Sequence, residues 1–300
     1  MTSKIKLTFL GTSDSVPSMS RNHSSILLNY YGENILVDCG EGTQRQFRKA
    51  GLNPCKIDKI LITHWHGDHV LGLPGLLQTL SLSGYNKTLE IYGPRGSKKY
   101  LEAMLNVFVF VEKINIVVKE VSGKFFETKD FLLKSQKLYH RTPCNAYCFI
   151  EKEKIKIDKS KLKKSELVEG PHIQKLKEGK DITFKGKKFK SKDFVYTEKG
   201  KKICFVLDTR FNKKIIDFVK DSDLLVCEAC FSKELEEHAK EYYHLTAEQA
   251  GEIANLGKVK KLVLTHISQR YEQNFKVILD EAKKNFKNTK IVKDFDVFEV

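Results

Sequence analysis

The strongest constraint on how this chain folds is a pair of look-alikes. KILITH (Lys59 to His64) and KLVLTH (Lys261 to His266) are apolar runs that end in Thr-His, and ILVDCG (Ile35 to Gly40) and CFVLDT (Cys204 to Thr209) are apolar runs that end in an aspartate. Short aliphatic runs bounded by turn residues read as buried strands. Each half of the chain thus supplies one strand ending in Asp and one ending in His, in the same order. That repetition predicts two similar sheets facing each other, with their polar ends converging at one rim.

The text around these runs alternates in the manner of an α/β protein. Strands are expected at Lys4 to Leu10, Ser25 to Leu28, Asn34 to Val37, Lys59 to Thr63, Leu89 to Tyr92, Lys202 to Leu207, Leu224 to Cys227 and Lys261 to Thr265. Helices are expected at Thr43 to Ala50, Gly72 to Ser81, Ser97 to Val107, Ala247 to Asn255 and Phe275 to Lys284. A hydrophobic fraction of 41% over 300 residues supports a buried core in one domain spanning 1–300. The opening text MTSKIKLTFLGTS lacks a continuous apolar stretch, and no run is long enough to span a bilayer, so the expectation is a cytoplasmic protein with no membrane partner.

Seven scattered cysteines do not make the even, dense framework of a small secreted fold, and most are expected to be reduced core residues. Two close pairs, Cys144 with Cys148 and Cys227 with Cys230, leave a four-thiolate zinc site open as a lesser alternative.

Charge is concentrated in one place. Lys152 to Lys202 holds eighteen lysines and eight acids, a balance of +10 within a total of +15. A lysine-rich run is commonly a solvated surface; a polyanion-binding arm is the other reading. Its first part is poor in large apolar residues and is broken by Gly170-Pro171, so a protruding arm is expected over 152–195.

The segment ILITHWHGDHVLGLPGLL, residues 60 to 77, places three histidines and an aspartate in six positions just after an apolar run. In extended chain, side chains at i and i+2 share a face, so His64 and His66 point together. Gly67 permits a bend, after which Asp68 and His69 head an apolar helix and aim a second pair of donors nearby. Four groups competing for protons and desolvation within one turn need a cation to offset their mutual cost, and imidazole with carboxylate suits zinc or a similar divalent ion.

Thr63-His64-Trp65-His66-Gly67-Asp68-His69 resembles the signature of the metallo-β-lactamase superfamily. The resemblance implies an αββα sandwich of two mixed sheets flanked by helices, with two metal ions at the rim. Carried over by position, it implies that His64, His66 and His140 hold one zinc, that Asp68, His69 and His266 hold the other, and that Asp208 bridges them. Asp38, in the first motif, is implied to orient ligands rather than bind metal.

Further segments in order, DCGEGTQRQ, YGPRG, LDTR, CEACF and HLTAEQA, are similar to the ribonuclease Z family over nearly the whole chain. Membership would imply cleavage of precursor tRNA at its 3′ side by metal-activated water, leaving a tRNA 3′-OH and a 5′-phosphate trailer. Two zinc ions per subunit, or manganese or another divalent ion, would serve; Asp68 would take the proton of the water and His244 would protonate the leaving oxygen. From the residues alone, His244 could equally be a surface group at a helix start. The basic insert resembles the family's flexible arm, with Gly170, Pro171, Lys175 and Lys177 as tRNA contacts, and the family's habit implies a homodimer. Arg21, Asn22 and Arg270 are further substrate candidates. The N-terminal loop departs from the family's Pro-x-Lys-x-Arg-Asn, since Met19 stands at the lysine position, which leaves the treatment of a CCA end open. A hydrolase of small phosphodiesters or thioesters on the same fold is the alternative.

Overall fold

The computed structural model describes residues 5–109, 114–168 and 170–300. Lys4, expected to start the first strand, lies outside them. The chain forms two compact units, Met1–Phe126 with Leu133–Phe149 and Lys202–Val300, and Glu127–Leu132 with Ile150–Lys201.

Two seven-stranded sheets organise the fold. The first runs in the order Val297–Glu299, Ile5–Gly11, Ser25–Tyr30, Glu33–Val37, Lys59–Leu61, Thr88–Gly93, Asn115–Glu120. Its first four strands pair antiparallel and the remainder parallel, so the sheet is mixed. The second runs Thr289–Ile291, Leu262–Thr265, Leu224–Glu228, Lys202–Val206, Cys144–Glu151, Phe131–Leu138, Gly123–Glu127, with its first four strands parallel. Leu224–Glu228 and Leu262–Thr265 in the second sheet are buried throughout, as parallel strands covered on both faces must be, and Glu33–Val37 in the first is buried except at Glu33.

The sheets meet through aromatic side chains: Tyr30 packs edge-on against Phe149 at 5.1 Å between ring centroids, and Tyr147 Oη donates to the Ile62 carbonyl at 2.8 Å. On the outer face of the first sheet, helices Thr43–Lys49 and Leu73–Leu82 bury Phe47, Leu73, Leu76, Leu77 and Leu80. Helix Ala247–Leu256 covers the second sheet with Ala250, Ile253 and Ala254, and starts on a capping box between Thr246 and Gln249.

The repeated strand ends share a backbone conformation. Asp38 and Asp208 are both left-handed, at φ 57° and 49°, and His266 is left-handed at 54°. A non-glycine residue pays on the order of 1 kcal/mol for that conformation, and it recurs where the chain turns off a strand to aim a side chain.

The second unit has a core of its own, which sequence reading missed. Leu167, Leu176 and Ile182 are buried, with Ile157, Leu162, Ile173, Phe184, Phe189 and Phe194 packed on them. Around it stand a strand pair, Lys154–Ile157 with Val195–Glu198, a hairpin, Ile182–Phe184 with Lys187–Phe189, and helix Pro171–Lys177.

Most of the cysteines are reduced core residues, as expected, with one departure. Cys148 is joined to Cys204 by a disulfide between neighbouring strands of the second sheet, which removes the four-thiolate option; Cys39, Cys144, Cys227 and Cys230 are buried free thiols.

Candidate metal centre

The strand Lys59–Leu61 delivers the chain to Thr63 and His64, and His66 caps a single turn of helix, Gly67–Val70, that carries Asp68 and His69. Gly67 is not left-handed; the close approaches to backbone at this site fall on Gly40 and Gly72. A Cβ on Gly40 would lie 2.5 Å from the Asp68 carbonyl oxygen, and one on Gly72 would lie 2.0 Å from the Gly40 carbonyl oxygen. Backbone bonds from Cys39 N–H to His69 O (2.8 Å) and from Gly72 N–H to Cys39 O (2.9 Å) clamp the two loops.

Asp38 is the hinge of this clamp. Its Oδ1 accepts from Thr63 N–H and its Oδ2 from Thr63 Oγ1, each at 2.7 Å, and Oδ2 also accepts from His69 Nδ1 at 2.7 Å. Because a carboxylate can only accept, His69 donates from Nδ1, and Nε2 is the nitrogen left to bind a cation once it gives up its proton. That Nε2 lies 3.2 Å from His266 Nε2, 3.2 Å from Asp68 Oδ2 and 3.5 Å from Asp208 Oδ1. His266 Nε2 is 3.3 Å from both carboxylates.

The other oxygen of Asp208, Oδ2, lies 3.5 Å from His64 Nε2. Beside it, His140 Nε2 and His66 Nδ1 are 3.2 Å apart, while His140 Nδ1 donates to the Tyr243 carbonyl. Two donor groups result, His64, His66, His140 and Asp208 in one, Asp68, His69, Asp208 and His266 in the other, each with its ligand atoms within 4.8 Å of one another. Asp208 belongs to both. These are the residues that the sequence nominated, drawn together from both sheets.

Burial sharpens the chemistry. His64 and His69 are fully buried, and Asp208 and His266 are 2% and 1% exposed. Burial and the neighbouring His69 hold His64 well below its ordinary value, and burial holds His140 down to about 4, so both are neutral donors. Burial opposes charge on Asp208, yet His266 and His69 overcome it and keep the carboxyl ionised. Burial likewise disfavours charge on His69, and Asp68, Asp208 and Asp38 reverse that. Buried His64 Nε2 and Asp208 Oδ1 have no hydrogen-bond partner among the described residues. Opposed ring nitrogens, ionised oxygens and orphaned acceptors at 3.2 to 3.5 Å fit divalent cations.

His244 stands at the edge of this cluster, its ring stacked 5.5 Å from His266 and edge-on to His140 at 5.6 Å. Its Nδ1 bonds Glu228 Oε2 at 2.9 Å, and Glu228 Oε1 accepts from Thr209 N–H at 2.6 Å. Burial disfavours the imidazolium, but Glu228 and Asp208 raise it to about 9. Glu228 is a residue that sequence reasoning missed. It ends the strand lying between those of Asp208 and His266, so its position was readable only once the sheet order was known.

The substrate candidates divide. Arg21 is turned inward: its guanidinium donates to Thr12 Oγ1 (2.9 Å) and the Val292 carbonyl (2.7 Å) and lies 4.1 Å over Phe275. Only 4% exposed, it packs a loop rather than presenting itself to a phosphate, a correction to its expected role. Asn22 braces the same loop, donating through Nδ2 to the Glu41 carbonyl. Arg270 is exposed, with its guanidinium 5.1 Å over Phe231. In the second unit Gly170 precedes helix Pro171–Lys177, and Lys175 and Lys177 are exposed on either side of buried Leu176. No helix among the described residues is long and apolar enough to cross a membrane.

Residues 5–274 match the family model described as Anti-Pycsar protein Apyc1. The chain is 40% identical to a ribonuclease Z of Nanoarchaeum equitans, over 97% of this chain and 92% of that protein. Among solved structures it superposes on human tRNase Z, short form, with a TM-score of 0.71 at 29% identity, covering 98% of each chain. It superposes also on the metallo-β-lactamase fold protein YhfI of Bacillus subtilis, with a TM-score of 0.72 at 20% identity and 99% coverage of each, a likeness of fold. The chain therefore has the metallo-β-lactamase fold, and belongs both to the family that the Apyc1 model describes and to the ribonuclease Z family.

Proposed function

We propose that this chain is an endoribonuclease that uses two divalent cations, zinc by the donor set, to cleave precursor tRNA at its 3′ side, leaving a tRNA 3′-OH and a trailer with a 5′ phosphate. The observation that carries the reading is Asp208, whose two carboxyl oxygens face separate groups of histidines. When bound, a pair of divalent cations held by these two groups would supply Lewis acidity to a phosphate and lower the pKa of a water. Asp68 has an ionised carboxylate in the rim and accepts the proton that the attacking water gives up. His244 as imidazolium, held through Nδ1 by Glu228, donates from its other nitrogen to the departing 3′ oxygen. His64, His66, His69, His140, Asp208 and His266 orient and hold the cations, and Asp38 fixes the tautomer of His69.

In this reading the basic unit, with Gly170, Pro171, Lys175 and Lys177, serves as the arm that grips tRNA; Arg270 is a further contact; and the enzyme works in the cytoplasm as a homodimer. Support for the RNA partner comes from the +10 balance of Lys152 to Lys202, a polyanion-binding charge. The test is to map the cut on a CCA-containing and a CCA-less precursor tRNA and to compare the rate with that on bis-p-nitrophenyl phosphate and a thioester. Cleavage at the 3′ side of the acceptor stem, faster than either small substrate, is expected. A precursor left intact while the small substrates are hydrolysed would hand the site to the alternative.

A further inference from the structure

The turn that carries His244 is built in an unexpected way. Helix Glu236–Tyr242 closes with Tyr243 N–H donating to Lys240 O at 3.4 Å and His244 N–H to Ala239 O at 2.8 Å, while Tyr243 is left-handed at φ 64°. This is the pattern by which helices end on glycine, and a tyrosine adopts the left-handed position only where its surroundings hold it.

The holders are two arginines from strand ends that bear other residues of the centre. Arg210, two positions past Asp208, donates from Nε to Lys240 O at 2.6 Å and lays its guanidinium 3.8 Å over the Tyr243 ring. Arg141, next to His140, donates from Nη2 to Glu241 O at 2.8 Å and lies 5.8 Å from the same ring. Arg210 N–H bonds Tyr139 O at 2.9 Å, which ties the two strand-end loops to each other. The carbonyls of Lys240, Glu241 and Tyr243 are thus taken by Arg210, Arg141 and His140.

We infer that Arg141 and Arg210 are positioning residues for His244: by capping this helix end and pinning Tyr243, they fix the imidazole between Glu228 and the histidine cluster. The inference rests on the reading of His244 as donor to the leaving oxygen. It has a chemical signature. A ribose 3′ oxygen departs readily only if it is protonated, whereas p-nitrophenolate leaves unaided, so a residue acting through His244 matters for the first substrate and not for the second.

The test compares the double variant Arg141→Ala/Arg210→Ala with His244→Ala and the wild-type enzyme on precursor tRNA and bis-p-nitrophenyl phosphate. Single-turnover cleavage of saturated precursor tRNA should slow by about tenfold in the arginine variant, a misplacement effect. Its Kd for precursor tRNA, its bound metal and its rate on the activated diester should stay within about twofold of wild type, and the same change made in the His244→Ala background should add no further slowing. Arg210→Lys, which keeps a donor for Lys240 O but not the flat face over Tyr243, gives a second folded variant for the same comparison. A raised Kd with an unchanged cleavage rate would make the arginines substrate contacts and overturn the inference; equal losses on both substrates would reduce them to general scaffolding. A His244→Ala enzyme as fast as wild type on precursor tRNA would instead remove the donor reading on which the inference stands.

Discussion

The rim cluster and the basic unit are opposite solutions to the problem of holding charge. At the rim, His64, His69, Asp208 and His266 are at most 2% exposed, and His69 Nε2, His266 Nε2, His64 Nε2 and the Asp208 carboxyl face one another at 3.2 to 3.5 Å. Little water screens them there, so one missing group leaves the others uncompensated, and effects are all or none. The core of the basic unit is built on Leu167, Leu176 and Ile182, while lysines such as Lys175 and Lys177 stand in solvent. Their contributions are screened, roughly additive and individually small. The comparison separates chemistry, which the first region would govern, from affinity, which the second would.

The largest effects test the first half of that contrast. His64→Ala and Asp208→Ala should each abolish cleavage of every substrate and lower the metal retained after dialysis; full activity with normal metal content would refute the centre. Next in size is removal of the basic unit. Ile157 pairs with Val195 across the strands that open and close it, so a two-residue Asn-Gly turn can replace residues 158–194. This variant should keep its activity on bis-p-nitrophenyl phosphate, and its affinity for precursor tRNA should lose about 0.7 to 0.9 in the slope of log K against log salt for each phosphate contact removed. An unchanged slope would return these lysines to the role of a solvated surface.

How far each region could be read in advance follows from the same physics. The strand ends were legible because alternation between apolar run and polar terminus is a local signal, and Asp38, His64, Asp208 and His266 each close such a run. The helices Ser97–Val107 and Ala247–Leu256 were legible for a similar reason, the local spacing of their apolar residues. What stayed hidden depends on which distant segments become neighbours. Glu228 closes an apolar run as Asp208 does, but its meaning lies in His244, sixteen residues on. Arg21 was a substrate candidate until Thr12 and Val292 claimed it, and Cys148 finds Cys204 only through the sheet order. The core of the basic unit escaped notice because Leu162, Leu176 and Phe189 are spread among lysines without helical or strand period.

Two smaller effects sharpen the contrast. Glu228→Gln keeps the shape at His244 Nδ1 and removes the opposing charge. The His244 imidazolium is favoured at pH values below about 9 and its proton is lost as pH rises through that value. Without the Glu228 charge that loss comes at lower pH, so the alkaline limb of the rate on precursor tRNA should move down by about one unit or more, with little change near pH 6. A limb that stayed in place would mean that another group sets it. The smallest effect belongs to the other region. Lys175→Ala, next to buried Leu176 and itself exposed, should leave the single-turnover rate unchanged, weaken precursor tRNA binding by a few-fold and reduce the salt slope by about 1 if it meets one phosphate. Leu176→Ala, one residue along, removes one of three buried apolar side chains and should cost the unit about 2 to 5 kcal/mol, enough to give the binding defect of the whole replacement. If the two neighbours behaved alike, the division between a graded surface and a packed core in this unit would fail, and with it the claim that its lysines act one by one.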